Sequence, residues 1–208
     1  MTQAMTIAED VQLMLLLERG RLEVDQVIPV AGALIELALL GRLSSVEKKG
    51  FFVDPIGRLL TVADPTPTGQ PILDTALAGI AKRGRPWQIH RAILSVRLPV
   101  VAELYASLEA RGFVRATATA KGSPSYLEIV DAVAVDQRRS ELGRARTLPY
   151  TVSDPRLGAV VDLLRNGGNL YRGATGPEEP RTEDWYPANV SETVDAIVRA
   201  EHYLKLSL

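Results

Sequence analysis

The chain has 208 residues, of which 46% are hydrophobic and 24% are charged, and its formal net charge is −1. This composition is typical of a packed soluble protein and excludes disorder over most of the chain. A net charge near zero excludes a global positive field that would attract nucleic acid or an anionic membrane, so any anion-binding surface must be local. The chain has no cysteine, which excludes disulfides, thiolate zinc ligands and cysteine nucleophiles.

The N-terminal ten residues include acidic but no basic side chains, unlike a secretory signal. The longest apolar stretches, residues 11–17 and 27–40, are too short to span a bilayer. We therefore expect a cytoplasmic protein whose contact with membranes is peripheral.

The first helix is predicted by Thr6 and Glu9, which have the spacing of a capping box. A second helix is predicted from about residue 29 to residue 40, with Gly41 as its stop. Apolar residues cover nearly its whole circumference, which is typical of a central buried helix. Glu36 is the one charge inside it, and we interpret this residue as a structural carboxylate, because lone buried acids usually pair with an arginine.

Short β-prone runs between residues 42 and 62 predict a small sheet or hairpin, and a second hairpin is predicted between residues 113 and 130. These strands are few, so the sequence predicts a mainly α protein with two small β-wings. The other expected elements are helices at 72–80, 87–94, 100–111, 133–146, 155–164 and 191–206, and a long loop rich in Gly, Pro and acids at 166–187.

The sequence contains no recognisable catalytic constellation. His90 and His202 lie on different predicted helices without a ligand-spaced partner, and the glycines match no phosphate-binding fingerprint. The acids of the 166–187 loop are interpreted as a solvated tract. We therefore expect no enzymatic activity, no metal site and no cofactor.

The strongest local asymmetry is a basic segment. Between Lys82 and Arg115 there are seven Lys or Arg residues against two glutamates. Cations beside Trp87 would suit a phosphorylated headgroup, with the indole at a membrane interface. The alternative interpretation is that these arginines are solvated or paired with the acidic loop.

A helix, a glycine stop and a hairpin occur twice, at residues 30–62 and 100–130. Each unit has the shape of a winged helix, which keeps a nucleic-acid-binding alternative open. The helix of the first unit has no basic residue, which counts against this alternative.

Four motifs occur in the order found in the Golgi phosphoprotein 3 family. The segment LIELALLGRL at residues 34–43 resembles the signature of that family, and residues 7–17 resemble its opening helix. PTG at residues 67–69 followed by Leu73 and Asp74, and LEARGFV at residues 108–114, are similar to two further family motifs. The similarity is clear over residues 6–80 and looser up to residue 130.

The resemblance implies one mainly α-helical domain, residues 1–208, with a central buried helix and β-hairpins. Eukaryotic members bind phosphatidylinositol 4-phosphate at the Golgi and help retain glycosyltransferases there. It therefore implies a headgroup pocket built from a tryptophan and several arginines. It also implies a hairpin, here residues 113–130, that is linked to membrane insertion and homo-oligomers.

This chain differs from the family pattern at the pocket. Val30, Leu98 and Val101 occupy the positions of the family's arginines, so we expect them to line the corresponding pocket. The family's tryptophan position falls near Arg21 or Leu22. The candidates for contact with a lipid headgroup are therefore Arg21, Trp87, Arg91 and Arg97.

Three hypotheses for the function follow. The first is a peripheral adaptor that binds phosphatidylinositol 4-phosphate or a similar anionic lipid headgroup or phosphate. The second is a protein-interaction scaffold that kept the fold and lost the lipid site, with protein partners or a homo-oligomer formed through residues 113–130. The third is a winged-helix nucleic-acid binder, although we expect no nucleic acid as a partner. The Arg- and Ala-rich composition indicates a bacterial source, so a Golgi role does not transfer directly.

Overall fold

A computed structural model of the chain describes residues 4–16, 26–48, 57–118, 124–147, 154–166 and 185–207. These residues form seven α-helices and five β-strands, so the prediction of a mainly α protein is confirmed. The helices are α1 (Ile7–Leu15), α2 (Val27–Leu39), α3 (Pro71–Ala81), α4 (Ile89–Ala110), α5 (Ala132–Thr147), α6 (Pro155–Asn166) and α7 (Ala188–Ser207). The strands are β1 (Leu43–Glu47), β2 (Arg58–Val62), β3 (Trp87–Gln88), β4 (Val114–Ala118) and β5 (Pro124–Ile129).

Helix α2 lies at the centre of the core, as its all-round apolar sequence predicts. Every residue of α2 from Val27 to Ala38 is buried, and the helix packs against α1, α3, α4, α6 and α7. The buried apolar residues within the described ranges form one hydrophobic cluster. The assignment of all 208 residues to one domain stays a prediction for the segments outside those ranges.

Helices α2 and α4 end with the same local structure. Each is followed by a glycine with positive φ, Gly41 at 70° and Gly112 at 79°. The N–H of the residue after each glycine donates to the carbonyl five residues earlier, at 2.8 and 3.1 Å. This pattern is a Schellman motif, which requires the left-handed conformation that glycine adopts without steric cost. It explains why each of these helices turns directly into a hairpin.

The two predicted β-wings are confirmed. Strands β1 and β2 pair antiparallel from Leu43–Val62 to Glu47–Arg58, and β4 pairs antiparallel with β5. The first wing has an additional strand, since β3 pairs with β2 through Trp87 opposite Leu60. The prediction of a helix starting at Trp87 is therefore wrong by two residues, because backbone pairing with β2 holds Trp87 and Gln88 extended.

Helix α4 is continuous where two helices were predicted. It runs for 22 residues and contains Pro99 in its interior. Pro99 is exposed, and the buried face continues through it from Val96 to Val100 and Leu104. The packing of this face against α2, α3 and α7 compensates for the hydrogen bond that the proline cannot donate.

The predicted loop from 166 to 187 lies largely outside the described residues. Its last part is packed into the protein, because Trp185 is 6% exposed and Tyr186 is 5% exposed. The Tyr186 hydroxyl donates to Asp162 of α6 at 2.8 Å. In the described parts of the chain, no helix is both long and apolar enough to cross a membrane.

Candidate anion-binding site

The charges of the described residues include two distinct groups, and the first consists of buried carboxylates paired with arginines. Glu9 is fully buried in the first turn of α1 and completes the predicted capping box. Its carboxylate accepts from the Thr6 N–H at 2.6 Å and from the Ser107 hydroxyl at 2.6 Å, and it pairs with Arg111 at 2.8 Å. These contacts fasten the start of α1 to the end of α4.

Two further carboxylates beside Glu9 are paired in the same way. The Arg138 guanidinium of α5 binds Asp10 through two nitrogens, both at 2.8 Å. Glu36 accepts from the Ile7 N–H at 2.7 Å and pairs with Arg156 of α6 at 2.8 Å. The prediction that Glu36 is a structural carboxylate paired with an arginine is therefore confirmed.

Burial determines the protonation behaviour of two of these acids. Desolvation raises the pKa of Asp10 above its usual value, although the hydrogen bond from Arg138 opposes this shift. Desolvation likewise raises the pKa of Glu36, against the hydrogen bond from Ile7 and the charge of Arg156. These carboxylates join helices together, and their arginines are not available to a ligand.

The segment from residue 67 to residue 74, which resembles a further family motif, also has a structural role. Asp74, in the first turn of α3, accepts from the Thr68 N–H at 2.6 Å, from the Thr68 hydroxyl at 2.8 Å and from the Gly69 N–H at 3.1 Å. The carboxylate thus holds the PTG segment against the N-terminus of α3, where the helix dipole favours a negative charge.

Four further described arginines are paired with carboxylates as well. Arg58 binds Glu192 at 2.8 Å and also donates to Ser45. The other pairs are Arg42 with Asp64, Arg115 with Glu128 and Arg139 with Asp136.

The second group of charges is a set of cations without acidic partners. Five basic side chains between residues 82 and 97 form no ion pair with any described carboxylate. They lie on the turn after α3 and on the first half of α4. They are Lys82, Arg83, Arg85, Arg91 and Arg97.

Trp87 contacts one of these cations. The Arg83 guanidinium carbon lies over the indole, 4.5 Å from its centroid, and the side chain of Trp87 is half-buried. Stacking of this kind orients the guanidinium while leaving its N–H groups able to bind an anion.

Arg97 lies at the edge of the buried face of α4. It is one turn after Ile93 and one turn before Val101, both of which are core residues. The Nε atom of Arg97 is buried and has no hydrogen-bond partner within the described residues. Arg97 therefore holds a buried donor that no described residue satisfies, which is unfavourable for the folded protein.

The outer face of α4 combines cations with apolar side chains. Leu94 is 39% exposed and Leu98 is 67% exposed. Arg91 is three residues before Leu94, so these three side chains share one face of the helix. Tyr203 of α7 is also exposed and contacts the ring of His90, one turn before Leu94, with 5.6 Å between the ring centroids.

The residues predicted from the family pocket lie in different environments. Val30 and Val101 are core residues, 0% and 5% exposed, whereas Leu98 faces solvent. Tyr105, one turn after Val101, is hydrogen-bonded to Gln26 at the start of α2, and burial raises its pKa. Whether Val30, Leu98 and Val101 line a pocket stays a prediction, and Arg21 lies outside the described residues.

Sequence reasoning missed two features of this surface. The cations Lys82, Arg83 and Arg85 were recognised as a basic turn but not selected as candidates for binding. Leu94 was placed in a predicted helix, residues 87–94, but was not selected as part of a binding surface. The alternation of arginine with leucine from residue 91 to residue 98 was the signal that would have identified this face.

Within the described ranges, no group of three His, Asp or Glu side chains is arranged to hold a metal ion. The model of the Golgi phosphoprotein 3 (GPP34) family matches residues 7–198 of the chain. The chain therefore belongs to the Golgi phosphoprotein 3 family. A search of curated proteins finds no match for this chain.

Proposed function

We propose that the protein is a non-catalytic peripheral adaptor that binds the phosphorylated headgroup of an anionic lipid, of the phosphatidylinositol 4-phosphate type. The binding surface, called the α4 face, consists of Trp87, Arg91, Leu94, Arg97 and Leu98. One observation carries the proposal: the cations between residues 82 and 97 form no ion pair with a described carboxylate, whereas the described arginines that join the helices, Arg111, Arg138 and Arg156, are each paired with one.

The chemistry of the α4 face fits a phosphate on a membrane. A phosphate offers several acceptor oxygens, and each charge-assisted hydrogen bond from an arginine contributes roughly 1.5–3 kcal/mol before desolvation costs. Leu94 and Leu98 are exposed beside these cations and would enter the interfacial region of the bilayer, where Trp87 is also favoured. Membership of the Golgi phosphoprotein 3 family supports the same ligand class.

The proposal includes no catalytic step and no cofactor. The buried carboxylates Glu9, Asp10 and Glu36 are each bound to an arginine, so none of these three is free to act as a general acid or base. The protein would act from the cytoplasmic side and bring protein partners to the lipid surface.

A second candidate function, a protein-interaction scaffold, is favoured by a separate apolar patch. Val130 is 52% exposed and Val133 is 79% exposed, where β5 passes into α5. An exposed apolar pair next to the β4–β5 hairpin suits a protein partner or a homo-oligomer formed through residues 113–130. A concentration-dependent increase in mass, lost in Val133→Ser, would support this candidate.

Vesicle binding by charge-neutralised variants tests the proposal. Arg97→Gln removes a cation from the α4 face, and we expect it to weaken binding to anionic vesicles by about tenfold or more. The matched control is Arg139→Gln, which removes one cation from the Arg139–Asp136 pair on α5 and should change binding by less than about twofold. Binding by the wild-type protein should weaken as salt is added.

Both variants are first compared with the wild type by thermal unfolding, so that a loss of binding is not a loss of fold. Equal losses in the two variants would mean that only net charge matters. Undiminished binding by Arg97→Gln would remove Arg97 from the site.

A further inference from the structure

A cleft of about 330 Å³ opens between the end of α3 and strand β2, and none of its lining residues belongs to the α4 face. Its floor consists of Val62, Ile80 and Ala81. Two prolines and one arginine form the rim, namely Pro65, Pro86 and Arg85. Its volume lies at the lower end of the range of small-molecule sites, about 300–1,000 Å³.

The floor of the cleft is continuous with the hydrophobic core. Ile80 is 3% exposed and belongs to the core cluster, and Val62 packs against that cluster. These side chains are held by their contacts with the rest of the protein. The apolar surface of the cleft is therefore formed before any ligand arrives.

The rim of the cleft is kept rigid by its prolines, whereas the floor is kept rigid by packing against the core. Pro65 and Pro86 have a fixed φ, so the two loop segments on either side of the cleft lose little conformational freedom when a ligand binds. Gly84 has a φ of 64°, a conformation that allows the turn between α3 and β3 to carry Arg85 to the opening.

The charge at the opening is positive, and no described carboxylate forms an ion pair with it. Arg85 is exposed and forms no ion pair with a described carboxylate, and Lys82 and Arg83 lie on the same turn. Asp64, next to Pro65 in the chain, does not neutralise Arg85, because it is already bound to Arg42 and accepts from the Thr66 N–H at 2.9 Å.

We propose that this cleft binds a small anionic amphiphile, with an aliphatic chain on the floor formed by Val62, Ile80 and Ala81 and a carboxylate or phosphate at Arg85. The apolar floor binds the aliphatic chain, and Arg85, which pairs with no described carboxylate, selects an anion over a neutral or cationic headgroup. The same chemistry is offered by a free fatty acid and by a single-chain phospholipid. The proposal uses different residues from the α4 face and does not depend on headgroup binding there.

Calorimetric titration of the full chain with decanoate and with lysophosphatidate tests the proposal, each below its micelle-forming concentration and without vesicles. We expect saturable binding of at least one of them. Decanol and decyltrimethylammonium carry the same chain without a negative charge and should bind at least about tenfold more weakly. Tighter binding of decanoate identifies a fatty-acid site, whereas tighter binding of lysophosphatidate identifies a lysophospholipid site.

Two matched substitutions on α3 locate the site. Ala81→Leu fills the floor of the cleft, and Ala78→Leu adds the same volume at an exposed position on the same helix. We expect Ala81→Leu to weaken binding by about tenfold and Ala78→Leu to leave it within about twofold. Arg85→Gln should weaken binding of the anions but not that of decanol.

Chemical shifts of the Val62 and Ile80 methyl groups give a second measurement that does not require a variant. They should move on addition of the bound anion. Absence of saturable anion binding, or equal binding by the wild type and Ala81→Leu, would overturn the proposal. Vesicle binding that is unchanged in Ala81→Leu but lost in Arg97→Gln would separate this site from the α4 face.

Discussion

Gly158 of α6 lies against the indole of Trp185, which follows a segment outside the described residues. A Cβ at position 158 would be 2.9 Å from the Trp185 Cβ and 3.0 Å from its Cε3. Neither neighbour is the flexible end of a side chain, so a methyl group there forces the helix and the indole apart.

We therefore expect Gly158→Ala to lower the free energy of unfolding by about 1–3 kcal/mol. The matched control is Gly143→Ala in α5, where the added Cβ meets no atom within 4 Å. It should be neutral or stabilising by up to about 1 kcal/mol, because alanine favours the helix. Urea unfolding measures both, and equal effects of the two substitutions would contradict the close packing of Trp185 on α6.

The raised pKa of Glu36 predicts how the stability of the protein depends on pH. Its pKa in the folded protein is raised above 4.5 by burial, so the folded state binds the proton more tightly than the unfolded state. The contribution of Glu36 to stability therefore decreases as the pH rises from about 4.5 through its folded pKa. Glu36→Gln has no proton to lose and keeps an acceptor for the Ile7 N–H.

The free energy of unfolding of the wild type, minus that of Glu36→Gln, should accordingly decrease as the pH is raised across this interval. Urea unfolding at a series of pH values measures this difference. If this difference increased with pH, the ion pair with Arg156 would stabilise the carboxylate form more than desolvation destabilises it.

At the scale of secondary-structure elements, α4 gives the clearest test of what packing contributes. Pro99 cannot donate a hydrogen bond to the Ser95 carbonyl, yet the helix continues on both sides of it. Pro99→Ala restores this donor at an exposed position, so we expect it to raise the free energy of unfolding by about 2 kcal/mol. A lower stability in Pro99→Ala, measured by thermal unfolding followed by circular dichroism, would contradict this account.

Local sequence signals predicted the elements that depend on local chemistry. The capping box of Thr6 and Glu9 and the glycine stops at positions 41 and 112 are determined by residues within one helical turn, and all three are observed. The continuity of α4 through Pro99 and the pairing of β3 with β2 depend on contacts between distant segments. Local patterns carry no information about such contacts. This is why the prediction of two separate helices in place of α4 and the prediction of a helix starting at Trp87 were wrong.

At the scale of the whole molecule, the described residues include buried acids that are paired with arginines and a group of surface cations that form no ion pair with a described carboxylate. The acids of two family motifs, Glu9 with Asp10 and Glu36, are bound by Arg111, Arg138 and Arg156. Their arginine partners are 102 to 128 positions away in the chain, so the sequence predicted a partner for Glu36 without identifying which arginine it is. The basic segment was visible in the sequence, but only the structure shows that its five cations between residues 82 and 97 form no ion pair with a described carboxylate.

The residues Trp87, Arg91 and Arg97 were selected from sequence and lie on or beside the first half of α4. Leu94 and Leu98 give this surface its exposed apolar component. The family's pocket position at Val30 is buried in the core. The central claim is therefore that the α4 face recognises a phosphorylated headgroup, with Arg91 and Arg97 supplying the cations that the family's pocket positions lack in this chain.

Co-sedimentation of the wild-type protein with vesicles tests this claim most directly. Vesicles containing phosphatidylinositol 4-phosphate are compared at physiological salt with phosphatidylserine vesicles of equal surface charge and with neutral vesicles. The account predicts selective pelleting with the phosphoinositide, because the α4 face presents arginines to a phosphate and apolar side chains to the bilayer. Pelleting with none of these vesicles would contradict it and would favour the protein-interaction scaffold.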